Sequence, residues 1–103
     1  MTCIESCNPT NRLLVVNAAE QRLQIAVGRN HCLLYSRELY SQGRLMQILV
    51  PEIEESLYSS ELGLSDLTGI ACVRGPGSFT GLRVALATLL GMARGLSLPL
   101  AGI

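Results

Sequence analysis

The sequence predicts a single α/β domain, built as a mixed five-stranded sheet with flanking helices. Three strand-like runs follow one another through short turns near the start, and two long runs with helical spacing of apolar residues come later. A short apolar run follows each helical segment, which is typical of strands that return to the same sheet. With 103 residues, 49% of them hydrophobic, the chain is long enough for one modest core.

The first three strands are predicted from apolar runs, alternation and turn residues. Residues 13–16 are apolar, as expected of a central strand buried on both faces. Residues 23–27 alternate apolar and polar side chains, and a turn at residues 28–30 leads into a third strand at Cys32–Tyr40. Two later strands are expected at residues 69–74 and from Leu100 onward.

The first helix is predicted at about residues 42–60 and carries two apolar stripes. The wider stripe should pack on the sheet and contains Leu45, Ile48, Leu49, Ile53 and Leu57. Met46 and Val50 form a second, narrower stripe. Pro51 lacks a backbone N–H and is expected to bend this helix near its middle.

The second helix, at about residues 80–96, is apolar almost all the way round, so it needs cover on more than one side. The sheet covers one face, and we expect the other face to contact another protein. Ala87, Gly91 and Gly95 lie four residues apart and would let a helix backbone approach closely; the alternative is close packing on the chain's own sheet or first helix. The predicted interface residues are Met46, Val50, Leu86, Leu89, Leu90, Gly91, Met92 and Gly95.

A glycine-rich loop joins the fourth strand to the second helix and is the most specific motif of the chain. Free backbone N–H groups at the start of a helix favour an anion, so this loop is a candidate anion-binding site. It is neither a Walker A motif nor a dinucleotide fingerprint, and an ordinary strand-to-helix turn capped by Ser78 is the alternative. The candidate residues are Arg74, Gly75, Gly77, Ser78, Thr80, Gly81 and Arg83.

Composition argues against several classes of function. The formal net charge is zero, with one Phe, three Tyr and no Trp, so direct nucleic-acid binding is not expected. Four cysteines without Cys-x-x-Cys spacing and a single histidine predict no metal site and no catalytic residues. No signal-peptide pattern opens the sequence, and charges and Pro99 interrupt its longest apolar run. We therefore expect a cytoplasmic protein with reduced cysteines and no membrane contact.

Residues 75–83, Gly-Pro-Gly-Ser-Phe-Thr-Gly-Leu-Arg, resemble the signature of the TsaB (YeaZ) family, glycoprotease-like proteins needed for tRNA threonylcarbamoyladenosine synthesis. Upstream, residues 61–67 and 70–73 are similar to the family's Ser-Asp-Leu linker and fourth strand, and residues 44–57 are similar to its first helix. The resemblance covers residues 12–103, which is nearly the whole chain.

This resemblance implies the first lobe of the actin-like ATPase (ribonuclease H-like) fold over residues 12–103. The resemblance implies this lobe without the second one, and residues 1–11 are expected to form a flexible leader. In this fold the turn after the first strand holds metal and phosphate, and many family members have Asp-Thr-Ser there. This chain has Asn17-Ala18-Ala19, which lacks the oxygen ligands that magnesium prefers. No cofactor and no catalytic activity of the chain's own are therefore expected.

The resemblance further implies a non-catalytic scaffold subunit of the tRNA threonylcarbamoyladenosine (t6A37) synthesis complex. Such a subunit would pair with the catalytic subunit TsaD through its two helices and reach TsaE through that complex. In isolation a homodimer is expected. Two alternatives stay open: a nucleotide- or phosphate-binding half-domain of an actin-like ATPase, and a self-associating structural module.

Overall fold

The computed structural model describes residues 11–19, 22–30, 32–41, 44–73 and 79–102, with the side chains of residues 19 and 79–82 excepted. All seven predicted elements are present within these ranges. A short 3-10 turn at Leu64–Asp66 lies between the first helix and the fourth strand. The elements run in the order β1 (Arg12–Ala19), β2 (Arg22–Arg29), β3 (Cys32–Tyr40), α1 (Leu45–Ser59), β4 (Gly69–Cys72), α2 (Phe79–Leu96) and β5 (Leu100–Gly102).

The five strands form one mixed sheet in the order β3-β2-β1-β4-β5. β1, β2 and β3 are antiparallel neighbours, whereas β4 pairs parallel to β1, and β5 pairs parallel to β4. A parallel neighbour needs a long crossover connection, and α1 and α2 supply the connections that bring β4 and β5 into place. This arrangement confirms the predicted mixed five-stranded sheet with flanking helices.

Element boundaries differ from the predicted ones by a few residues. β1 is longer than expected because its pairing with β2 continues to Ala19, which lies opposite Arg22. β4 ends at Cys72 among the described residues, and the predicted end at residue 74 lies outside them. α1 begins at Leu45 rather than near residue 42, and Pro51 lies inside it as predicted.

Both helices pack on the same face of the sheet, and the hydrophobic core lies between helices and sheet. Side chains alternate along β1 and β2, so every second residue of these strands enters the core. Ile48 of α1, predicted as a core residue, is only half-buried. The core residues of these four elements are Leu14, Val16, Ala18, Leu23, Ile25, Val27, Leu45, Leu49, Ile53, Leu57, Ala85, Leu89 and Ala93.

β3 is an edge strand, and its pairing with β2 is irregular. Val27 pairs with Tyr35, but the next pair joins Gly28 to Leu33, so Leu34 is an extra residue in the ladder. An extra residue of this kind is a β-bulge, which bends the strand and increases its twist.

Both helices end in the same hydrogen-bonding pattern. After α1, the Leu62 N–H donates to the Leu57 carbonyl (2.9 Å), and the Glu61 N–H donates to the Tyr58 carbonyl (3.0 Å). This is the Schellman motif, in which glycine commonly occupies the left-handed position. Here Glu61 occupies it with φ 59°, and Ser97 takes the equivalent position after α2 with φ 55°.

Glycine at either of these two positions should stabilise the fold. A side chain carrying a Cβ is strained in the left-handed region, so Glu61→Gly and Ser97→Gly should each raise the free energy of unfolding by about 0.5–1 kcal/mol. Urea denaturation curves measure the effect. Ser59→Gly, inside the last turn of α1, is the matched control and should destabilise the helix. Destabilisation by all three changes would contradict the argument.

Two of the four cysteines lie in the described part of the chain. Cys72 is fully buried in β4 and has a free thiol, as expected of a reduced cysteine. Burial raises the pKa of this thiol, because the thiolate would lose its hydration. Cys32 is disulfide-bonded, so the expectation of four reduced cysteines is wrong for this residue. Sequence spacing alone does not reveal such pairings.

The predicted leader, residues 1–11, lies outside the described residues except for Asn11. The Asn11 N–H donates to the side-chain oxygen of Asn30 (3.0 Å), and the Asn30 N–H donates to the Asn11 carbonyl (2.7 Å). Asn11 is therefore tied to the turn after β2. None of the helices in the described ranges is long and apolar enough to span a membrane.

Candidate functional site

The outward side of α1 and α2 exposes large apolar side chains. Met46 is 77% exposed, Val50 is 44% exposed and Leu90 is 41% exposed, whereas Leu86 and Met92 are half-buried beside the core. These five residues lie where sequence analysis expected partner contacts. We call the three exposed side chains Met46, Val50 and Leu90 the apolar helix face.

Leu89 was predicted to lie at the interface, but the structure places it in the core. Its side chain is 0% exposed and packs in the core together with Ala85 and Ala93. These three residues lie four apart, which places them on one side of α2, and the next residue points about 100° further round. The expectation that Leu89 contacts a partner is therefore wrong, and Leu90 is the leucine that faces outward.

Gly91 and Gly95 lie on the exposed side of α2 with free space above them. A Cβ built on either glycine would meet nothing within 4 Å outside its own helix. The alternative that these glycines exist for close packing on the sheet or on α1 is therefore not supported. Space for a close approach is available only from outside the domain.

Val50 and an ion pair lie on different sides of α1. Glu52 Oε1 lies 3.2 Å from Arg37 Nε, which attaches this side of α1 to β3. A hydrogen bond to Tyr35 and the charge of Glu52 raise the pKa of Arg37. Val50 lies about 160° round the helix from Glu52, so it projects from the side of α1 that faces away from this ion pair. The apolar helix face thus has two members on α1 and one on α2.

The predicted anion site falls largely outside the described residues. Four of the candidate residues, Arg74, Gly75, Gly77 and Ser78, lie outside the described residues. For Thr80 and Gly81 only the helical backbone is described. Arg83 is exposed and lies in the second turn of α2, where the helix dipole disfavours a cation. Anion binding by the loop stays a prediction.

The opposite face of the sheet carries a polar ladder that sequence analysis missed. Asn17 Nδ2 donates to Gln24 Oε1 (2.8 Å), and Gln24 Nε2 donates to Glu38 Oε2 (2.5 Å). The ladder borders a depression of about 380 Å³ that Val15 and Val73 also line. The three polar residues pair across β1, β2 and β3, and only the strand register could have revealed this.

This ladder bears on catalysis. Asn17 is the residue for which the family resemblance implied a replaced carboxylate, and its side-chain amide donates to Gln24. Across the described residues no three His, Cys, Asp or Glu side chains are grouped to hold a metal ion. The arrangement therefore supplies hydrogen bonds and one carboxylate, Glu38, which Arg22 approaches to 3.7 Å.

Comparisons with known proteins assign the family. The family model described as TsaD, tRNA N6-adenosine threonylcarbamoyltransferase, matches residues 40–103, which is more than half of the chain. The tRNA threonylcarbamoyladenosine biosynthesis protein TsaB of Escherichia coli (strain K12) is 32% identical over 92 residues, or 89% of the chain. The chain belongs to the TsaB (YeaZ) family. It spans 39% of the length of the E. coli TsaB protein.

Solved structures agree with this family and with the fold class. YeaZ from Pseudomonas aeruginosa superimposes with a TM-score of 0.83 and 27% identity, covering 90% of this chain and 43% of that one. RuvC of Thermus thermophilus gives a TM-score of 0.56 at 15% identity, covering 89% of this chain and 63% of that one, and shows the fold alone. The predicted TsaB (YeaZ) resemblance and the actin-like, ribonuclease H-like fold class are both confirmed.

Proposed function

We propose that the chain acts in tRNA threonylcarbamoyladenosine (t6A37) synthesis as a non-catalytic scaffold subunit that pairs with TsaD through α1 and α2. TsaE is reached through the complex with TsaD. The observation that carries the proposal is the apolar helix face, which lies beside two glycines with free space above them. Large apolar side chains exposed on two neighbouring helices favour contact with another protein.

The energetics favour burial of this face by another protein. Covering exposed apolar side chains contributes roughly 25 cal/mol for each Å² removed from water, so Met46, Val50 and Leu90 together would contribute a few kcal/mol. Gly91 and Gly95 cost the isolated helix about 1 kcal/mol each relative to Ala. A backbone that packs against the glycines would offset this cost.

The absence of a catalytic role is supported by the sheet face. Asn17 and its ladder provide amides at a position where many family members carry a carboxylate and two hydroxyl groups. Magnesium prefers hard, charged oxygen ligands, which residues 17–19 at the end of β1 do not offer. In the proposed complex the threonylcarbamoyl transfer is therefore performed by TsaD, and this chain holds TsaD in its active arrangement.

We further propose a homodimer for the isolated chain and a cytoplasmic location for the protein. Without TsaD, two copies would cover their apolar helix faces by pairing as a homodimer. The protein would work in the cytoplasm, without a cofactor and without touching nucleic acid or membrane itself. The zero formal net charge of the sequence supports the absence of a nucleic-acid surface.

Co-expression with affinity-tagged TsaD from the same organism tests the proposal. We expect this chain to co-purify with TsaD in a fixed ratio, and to restore t6A in tRNA of cells that have lost their own TsaB protein. If the chain is folded by circular dichroism but does not co-purify with TsaD, the scaffold assignment is wrong. Magnesium-dependent ATP binding by the isolated chain in calorimetry would instead favour the nucleotide-binding alternative.

A further inference from the structure

The two outer helices carry charges of opposite sign. Within α2 the charged residues are Arg83 and Arg94, and its sequence contains no Asp or Glu. Within α1 the charged residues are Glu52, Glu54 and Glu55, and its sequence contains no Lys or Arg. Only Glu52 of these five is assigned an ion-pair partner within the described part of the chain. The other four charges are exposed.

The two arginines of α2 flank the exposed leucine on one side of the helix. Arg83, Leu90 and Arg94 are seven and four residues apart, so they fall close to one line along the helix. Eleven residues make about three turns, which separates the two arginines by roughly 16 Å along the axis. Both guanidinium groups are solvent-accessible, and the apolar side chain lies between them. We call these three residues the arginine-flanked face.

We propose that the arginine-flanked face recognises an acidic helix of the partner protein, with two carboxylates about three turns apart and apolar side chains between them. This rests on the proposed function and names the chemistry that the partner must present. Arginine suits this role because its planar guanidinium binds carboxylates through two parallel hydrogen bonds. A carboxylate beside Arg83 also relieves the unfavourable position of that cation in the second turn of α2.

A second copy of the chain fits this face less well than an acidic partner. Two antiparallel copies of α2 would bring Arg83 of one copy against Arg94 of the other, so like charges would meet at both ends. Against α1 of a second copy, the same spacing of eleven residues joins Glu55 to Arg44, both exposed. In either orientation one arginine meets a carboxylate and the other meets a cation. The charges therefore favour a heteromeric pair over self-pairing.

A designed helical peptide tests the recognition without TsaD. The probe carries two glutamates eleven residues apart with leucine and alanine between them, and the control peptide carries glutamine at both positions. We expect the acidic peptide to shift the amide resonances of α2 in NMR titrations and to bind about tenfold more tightly than the control, with the difference reduced by salt. Equal affinity of the two peptides, or no binding by either at about 1 mM, would overturn the proposal.

Charge-neutral variants give the second measurement. Arg83→Gln combined with Arg94→Gln should weaken binding of the acidic peptide, and of TsaD, about tenfold, whereas Arg22→Gln on β2 is the matched control and should change neither. Circular dichroism of each variant checks that it is folded. If TsaD binds the parent tightly and the double variant equally tightly, this inference fails and the scaffold function stands. If the acidic peptide binds as expected but TsaD does not, the scaffold function fails and the recognition stands.

Discussion

Replacing Leu89 with alanine should destabilise the protein by about 3 kcal/mol, because the side chain is fully buried between α2 and the sheet. The change removes apolar contacts and leaves a cavity that the surrounding core fills only in part. A domain of this size has a total stability of about 5–15 kcal/mol, so the loss is a large fraction of it. Leu89→Asp places a charge in the same space and should abolish folding.

Urea denaturation of Leu89→Ala and of the neighbouring Leu90→Ala provides the measurement. Leu90 is partly exposed, so its truncation should cost less than about 1 kcal/mol. The pair differs by one position in the same helix, which controls for helix propensity. Equal losses of stability in the two variants would show that Leu89 does not face the core.

Placing aspartates on the apolar helix face should abolish TsaD binding while the fold survives. Met46→Asp combined with Leu90→Asp would bury two uncompensated charges in the proposed complex, and we expect affinity to fall by at least about 100-fold. The same side chains are exposed in the free chain, so the free energy of unfolding should change by less than about 1 kcal/mol.

Leu33→Asp is the matched control for this double variant. Leu33 is 63% exposed, but it lies on β3 rather than on either helix. Its replacement should leave TsaD binding intact, as measured by calorimetry or by co-purification. If the control weakens binding as much as the double variant does, the docking surface lies on the sheet and the helix assignment is wrong. Loss of self-association without any loss of TsaD binding would favour the self-associating structural module.

The sequence predicted the elements well because their signals are local. Alternation at residues 23–27, the turn at residues 28–30 and the helical spacing of Leu45, Leu49 and Ile53 all depend on neighbours in the chain. The inward and outward sides of α2 could not be predicted in this way. A helix with apolar residues all round gives no preferred side, and the packing against β1 and β4 decides that Leu89 points inward and Leu90 outward.

Sequence analysis did not predict the polar ladder or the left-handed residues at the helix ends, for different reasons. The ladder depends on which residues of β1, β2 and β3 lie opposite one another. The bulge at Leu34 shifts the register of β2 and β3, and no sequence pattern predicts this shift. The ends of α1 and α2 carry Glu61 and Ser97 where glycine would have signalled the left-handed position. Of the predicted anion site, residues 74–78 lie beyond the described ranges, so the loop is still to be tested.

The bulge in β3 also makes this edge of the sheet a poor template for backbone pairing with another chain. An exposed edge of a sheet offers unpaired amides and carbonyls on which another chain can stack, as in fibrils. The extra residue Leu34 and the charged neighbours Arg37 and Glu38 interrupt the flat ladder that such stacking requires. In the proposed complex, association would therefore rest on contacts between side chains, which are reversible and can discriminate one partner from another.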